Sequence, residues 1–178
     1  MLEELEDMNC FTKDMYKFLD YLSEDEEYEV RVKVAEILVL SNDVIYNLKD
    51  RILKDKSSLV KGYAILSLVD IFVTLNNNLS EHIEFFKQIL KKQNTQWVRI
   101  NIYKALYMLG DKAYLNTLVS ELENRYYRNR CAVVNILGEL ILNENREIVE
   151  RALIKRLKIE KSFAVKSGIE KLLKYTIL

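Results

Sequence analysis

Proline is absent from all 178 residues, and glycine occurs only four times. A β-rich chain needs residues that fix or free φ at its turns, so this shortage favours helices joined by short polar turns. A single histidine excludes a two-histidine metal site and leaves little material for a Ser/His/Asp or Cys/His device. The two cysteines, Cys10 and Cys131, lie far apart in sequence, which argues against a disulfide framework and for a reducing cytoplasm. No glycine-rich loop is present to cradle phosphate. The longest uncharged run, residues 71–80, falls short of a bilayer span, and the acidic start "MLEELEDMNCF" lacks the basic and apolar regions of a signal peptide. A soluble, intracellular protein without cofactor is the expectation, with no membrane partner.

What remains is 49% apolar and 30% charged, the profile of a globular chain long enough to bury a continuous core. Net charge is zero, but it is unevenly spread. Residues 1–30 carry eleven acids and two bases, and the other 148 residues carry sixteen acids and twenty-five bases.

Five segments share one register. They begin at Val30, Val60, Val98, Asn129 and Val165: "VRVKVAEIL", "VKGYAILSL", "VRINIYKAL", "NRCAVVNIL" and "VKSGIEKLL". With the first residue as position 0, position +1 is always basic: Arg31, Lys61, Arg99, Arg130, Lys166. Position +4 is Val34, Ala64, Ile102, Val133, Ile169, and position +8 is leucine throughout. Offsets 0, +4, +7, +8 and +11 fall within about 100° on a helix and form one buried stripe. A second amphipathic helix precedes each segment, over residues 12–22, 43–53, 80–91, 111–122 and 144–157. Ser23 with Glu26 has the spacing of a capping box, and Gly110-Asp111 reads as a helix stop followed by an N-cap. The unit is a helix–turn–helix recurring every 30–38 residues, the signature of a stack in which no pair can hide its apolar face alone. The expected fold is all-α, one domain over 1–178, with repeats near 12–41, 43–75, 80–110, 111–142 and 144–176.

These units resemble HEAT-like repeats, particularly the short bacterial type similar to phycobilin-lyase repeats. Val98-Arg99 with Ala105-Leu106, and Ile136-Leu137-Gly138-Glu139-Leu140, carry the resemblance most closely, which extends over residues 12–176. The chain departs from that pattern in lacking the turn proline and in placing Asn129 where valine is usual. The resemblance implies a right-handed α-solenoid with the second helices on its concave side. It also implies a ladder between the position +1 arginine and an acid at position −5, where this chain has the acids Asp25, Asp55 and Glu160 and the neutral Gln93 and Asn124. It says little about activity, since fold does not fix function.

Offsets +3, +6 and +10 flank the buried stripe and give a mixed strip that suits a protein partner: Tyr63, Leu66, Asn101, Lys104, Met108, Asn135 and Glu139. The acidic "SEDEEYE", residues 23–29, lacks the alternating ligands and glycine of an EF-hand loop. It reads mainly as acids that favour the dipole of the helix they precede, and it would also steer a basic partner. A scaffold, an adaptor or a toxin-neutralising immunity protein of a bacterium all meet this description. Nucleic-acid binding is the alternative, through Lys91, Lys92, Arg99, Arg125 and Arg128. In "ENRYYRNR" arginines interleave with tyrosines, a composition that stacks on bases and neutralises phosphate. The same stretch also reads as structural, since Arg130 holds the ladder position and tyrosines commonly pack under a turn. Some HEAT-like proteins are DNA glycosylases for alkylated bases; Trp97 has only Asp70 and Asp111 as its nearest aspartates in sequence, so that reading ranks last. His82 is expected at the surface. The apolar end "LLKYTIL" exposes Leu173, Ile177 and Leu178 to self-association.

Overall fold

The computed structural model describes residues 12–38, 45–76, 78–142 and 144–176, and every regular element among them is helical. The fold is all-α. The helices are α1 (Lys13–Leu22), α2 (Tyr28–Ile37), α3 (Ile45–Lys54), α4 (Ser58–Leu75), α5 (Leu79–Lys92), α6 (Gln96–Met108), α7 (Tyr114–Ser120), α8 (Tyr127–Leu140), α9 (Arg146–Ile159) and α10 (Phe163–Thr176). A 3₁₀ turn, Glu121–Glu123, extends α7.

The repeated register is written into the backbone. Helices α2, α4, α6, α8 and α10 each begin two residues before their position 0. The turn ahead of each is closed in one way: the side-chain oxygen at position −5 accepts the backbone N–H at position −3. The five distances are 2.9 Å for Asp25–Glu27, 2.7 Å for Asp55–Ser57, 3.0 Å for Gln93–Thr95, 3.1 Å for Asn124–Tyr126 and 2.8 Å for Glu160–Ser162. Acid and amide interchange at position −5 because only a carbonyl-type oxygen is required there.

This turn replaces the capping box expected at Ser23 and Glu26. Ser23 instead ends α1, its hydroxyl donating to Asp20 O at 2.6 Å, while Glu27 stands at the N-cap of α2 with no side-chain cap. Gly110 does stop α6. Its φ of +106° is open to glycine, and Asp111 N donates back to Leu106 O at 3.0 Å. Asp111 does not cap α7; its carboxylate pairs with Lys87 Nζ at 2.7 Å.

The chain falls into two compact units, Met1–Asp111 and Lys112–Leu178, with the cut one residue from the boundary expected between the third and fourth repeats. In unit 1, α4 packs against α2, α3 and α6, and α5 lies on α6. In unit 2, α10 packs against α8 and α9, and α7 lies on α8. Second helix therefore meets second helix within each unit. The position +4 residues Val34, Ala64, Ile102, Val133 and Ile169 are all 1% exposed or less, as the stripe requires. Burying an aliphatic side chain of this size contributes about 1.5–3 kcal/mol. Helix α4 is the one described helix long and apolar enough to cross a bilayer. Its Val60, Ala64, Ile65, Leu68, Val69 and Phe72 are fully enclosed in the core of unit 1.

Candidate binding surfaces

Two polar nodes, one in each unit, decide which charges are available to a partner. In unit 1, Arg31 grips Asp55 with two hydrogen bonds, Nε–Oδ2 2.8 Å and Nη2–Oδ1 3.1 Å. Its remaining nitrogen, Nη1, donates to the carbonyls of Asp25 (2.7 Å) and Glu26 (2.9 Å). In unit 2, Arg130 does the same to Glu160, at 2.7 Å on both oxygens, and to the carbonyls of Asn124 (2.7 Å) and Arg125 (3.1 Å). Each arginine ties its own turn to the position −5 acid ahead of the next packed helix. Arg130 is structural, with 7% of its surface exposed.

Each node contains a further pair at matching register positions. Arg51 and Arg156 both stand at position −9; Glu24 and Glu123 both stand at position −6. Arg51 pairs with Glu24 and donates to Ser23 O at 2.8 Å, and Arg156 pairs with Glu123 at 2.8 Å. The two middle intervals lack these pairs, with Lys54 and Ile89 in one and Lys92 and Ser120 in the other at positions −6 and −9.

The carboxylates feel this. Burial alone would push Asp55 up, but the Arg31 hydrogen bond and the Ser57 N–H outweigh it and hold the group below its usual range. Arg130 drives Glu160 lower still against the cost of burial, helped by the Ser162 N–H and by Arg156.

The strip expected to meet a partner is only partly available. Tyr63 and Leu66 on α4, with Lys104 and Met108 on α6, are half-buried in unit 1. Asn101 is 1% exposed, and it is a correction to the expected contacts. Its amide donates to Trp97 O at 2.8 Å and lies close over Gly62, where a Cβ would meet it at 3.0 Å. The α4–α6 crossing absorbs it. Asn135 and Glu139 are exposed on α8 in unit 2.

Of the residues proposed for nucleic acid, Lys91 and Lys92 are exposed at the end of α5 in unit 1, and Arg125 and Arg128 are exposed in unit 2. Arg99 is half-buried. Its Nη1 donates to Leu90 O (3.3 Å) and Gln93 O (3.0 Å), and its Nη2 to Tyr103 Oη (2.7 Å), so its donors close the turn before α6.

His82 is also a correction. It is 8% exposed and lies flat on Phe72, ring centroids 3.4 Å apart. Neither ring nitrogen has a hydrogen-bond partner. Burial, with Lys49 nearby, holds its pKa below the usual value, so it is a neutral packing ring. Trp97 packs over Gly62, where a Cβ would stand 2.2 Å from the indole nitrogen. The Cys131 thiol is half-buried and pushed up by that burial, against the pull of Arg130, which leaves it a poor nucleophile. Cys10, Ile177 and Leu178 lie outside the described residues. In α10, Leu173 is half-buried, while Ser167, Glu170, Lys171 and Lys174 supply an exposed polar face.

In unit 1 an open cavity of about 610 Å³ is bounded by Glu24, Asp25, Glu26, Arg31, Asp50, Arg51, Lys54, Asp55 and Lys56. Three ion pairs occupy most of those charges: Arg31–Asp55, Arg51–Glu24 and Lys54–Asp50, the last at 2.5 Å. Every residue of the lining is charged, and none is a serine, threonine, cysteine or histidine. Beside it, Glu26 and Glu27 are exposed and make no ion pair among the described residues, and Tyr21 and Tyr28 are 75% and 41% exposed. The result is an acidic rim carrying tyrosines.

No family model, curated protein or solved structure matches this chain.

Proposed function

We propose that this chain is a non-catalytic protein-binding module, an α-solenoid of five HEAT-like helix pairs that engages a basic partner through the first repeat. The acidic, tyrosine-bearing rim of unit 1 is the observation that carries this reading. Tyrosines supply amphipathic contact area at low entropic cost, and unneutralised carboxylates attract and orient a cationic surface. The central helices have spent their polar groups on packing, as Asn101 and Arg99 illustrate, so recognition falls to the turn side rather than to the strip along α4 and α6. A regulatory adaptor and a toxin-neutralising immunity protein both fit, and the activity of the captured partner separates them.

The test is affinity capture from the native host at physiological ionic strength with the full chain, run beside a Glu26→Lys, Glu27→Lys double variant. A protein of high isoelectric point should be retained by the first and lost from the second. Equal retention by both, or no specific retention at all, overturns the reading.

A further inference from the structure

Unit 2 presents the same turn architecture with the opposite surface. The exposed side chains around the Arg130–Glu160 node are Arg125, Tyr126, Tyr127 and Arg128 on one turn, and Lys161 and Phe163 on the next. Tyr126, Tyr127 and Phe163 are 64%, 48% and 85% exposed, an unusual outlay of aromatic surface for one small unit. The guanidinium of Arg125 stands 5.9 Å from the Tyr126 ring centroid, and Arg128 Nε lies 3.5 Å from Tyr127 Oη. The nearby acids are already engaged: Glu160 is 3% exposed and bound by two arginines, and Glu123, whose side chain is 54% exposed, pairs with Arg156.

The node also fixes the spacing. Arg130 holds the carbonyls of Asn124 and Arg125 on one side and Glu160 on the other, while Glu160 accepts the N–H groups of Lys161 and Ser162. The two turns are thereby locked side by side. Tyr127 and Phe163 occupy the same position, −2, at the start of the packed helices α8 and α10.

We infer that this ridge of unit 2 is a binding site for single-stranded nucleic acid, with Tyr126, Tyr127 and Phe163 as stacking platforms and Arg125, Arg128 and Lys161 as phosphate contacts. Packed helices lie about 8–10 Å apart, so platforms at their ends are separated by far more than the roughly 3.4 Å rise of a stacked strand. A duplex cannot place a base on each; a splayed single strand can. Cations flanking π-faces on both turns match a polyanion with one base per phosphate. An anionic membrane would be better met by a contiguous apolar patch, and only Phe163 of the six is wholly apolar. No residue of unit 1 is assigned to the site, and the acidic rim of that unit would repel a polyanion.

The experiment is fluorescence anisotropy of the full chain with a labelled 15-nucleotide oligouridylate at about 50 mM salt, in parallel with the matching duplex and with vesicles containing phosphatidylserine. Saturable binding to the single strand is expected. Three phosphate contacts imply a loss of roughly twentyfold between 50 and 200 mM salt. Phe163→Ala and Tyr127→Ala should each weaken binding roughly tenfold, and Arg125→Glu with Arg128→Glu should abolish it. All four positions are exposed, so thermal unfolding of the variants should be unchanged. No binding at low salt, preference for the duplex, preference for the vesicles, or indifference to Phe163→Ala each overturns the site. The Glu26→Lys, Glu27→Lys variant should bind the oligonucleotide as well as the parent, which keeps this outcome distinct from that for the acidic rim.

Discussion

The two nodes use the same four register positions and, at those four, differ by one methylene. Position +1 arginine, position −9 arginine, position −6 glutamate and position −5 acid recur in both units, but the acid is Asp55 in the first and Glu160 in the second. Glu160 is long enough to meet both arginines: Arg130 on two oxygens at 2.7 Å and Arg156 Nε at 2.8 Å, while also accepting two backbone N–H groups. Asp55 is gripped by Arg31 and by the Ser57 N–H, and Arg51 acts on it only through its field, spending its hydrogen bonds on Ser23 O, Glu24 and Asp50. The longer acid gathers a buried network, and the shorter one closes a turn and a single rung. Network strength then sets how rigidly the neighbouring turn displays its side chains, which matters most where those side chains are aromatic platforms.

Neutralising the acids gives the largest contrast. Glu160→Gln leaves Arg130 and Arg156 facing an amide in a buried site and should cost about 4 kcal/mol. Asp55→Asn keeps the turn-closing oxygen and loses one charge-assisted rung, costing about 2 kcal/mol. Urea unfolding measures both, and equal losses would show that the extra arginine contributes nothing. A double-mutant cycle isolates that arginine. Arg156→Ala and Glu160→Gln should couple by about 1–2 kcal/mol, whereas Arg51→Ala and Asp55→Asn should couple by less than about 0.5 kcal/mol.

Acid separates the units differently. Both carboxyls titrate below their ordinary values in the folded state, so each contribution is intact above the unfolded pKa and is lost as pH falls through the folded one, with Glu160 persisting to lower pH. His82 belongs to unit 1 alone, and its folded pKa also lies below its unfolded value of 6.5. Its contribution is intact above pH 6.5 and declines as pH falls below. Between pH 7.5 and 5, unit 1 should therefore weaken while unit 2 holds. Trp97, the single tryptophan, reports unit 1 by fluorescence, and hydrogen exchange of α8 amides reports unit 2. His82→Phe should flatten the unit 1 response; a response unchanged by that substitution would remove the imidazole from the account.

How much of this could be read in advance depends on whether a feature repeats. The five helix starts, the position +4 stripe and the structural part of Arg130 were legible because a periodic pattern fixes which face of a helix is buried. The Arg51–Glu24 and Arg156–Glu123 pairs carried the same signal at −9 and −6, but they occur in only two intervals and escaped a search for features shared by all five. Single-copy features left no trace of this kind. Asn101 lay at the edge of the predicted stripe, and its burial follows from Gly62 admitting α6 close to α4. His82 sat in a polar helix start, and nothing in "SEHIEFF" foretold the face of Phe72. Ser23 and Glu26 had the spacing of a capping box, yet Asp25 offered its oxygen to the same turn two residues ahead of Glu27 and prevailed.

The smallest effect is also the most direct test of the one-methylene difference. Asp55→Glu places in unit 1 the acid found in unit 2. The added methylene lets the carboxylate reach toward Arg51 while keeping Arg31, at the cost of one more side-chain torsion to order and of drawing Arg51 away from Glu24, an exposed partner worth little. The net change should be a gain of about 0.5 kcal/mol. The sharper readout is coupling: Arg51→Ala should cost more in the Asp55→Glu background than in the parent, by about 1 kcal/mol. If that coupling does not appear, reach is not what distinguishes the nodes, and the difference must lie in how deeply each is enclosed: the side chain of Arg31 is 13% exposed, against 9% for Arg130.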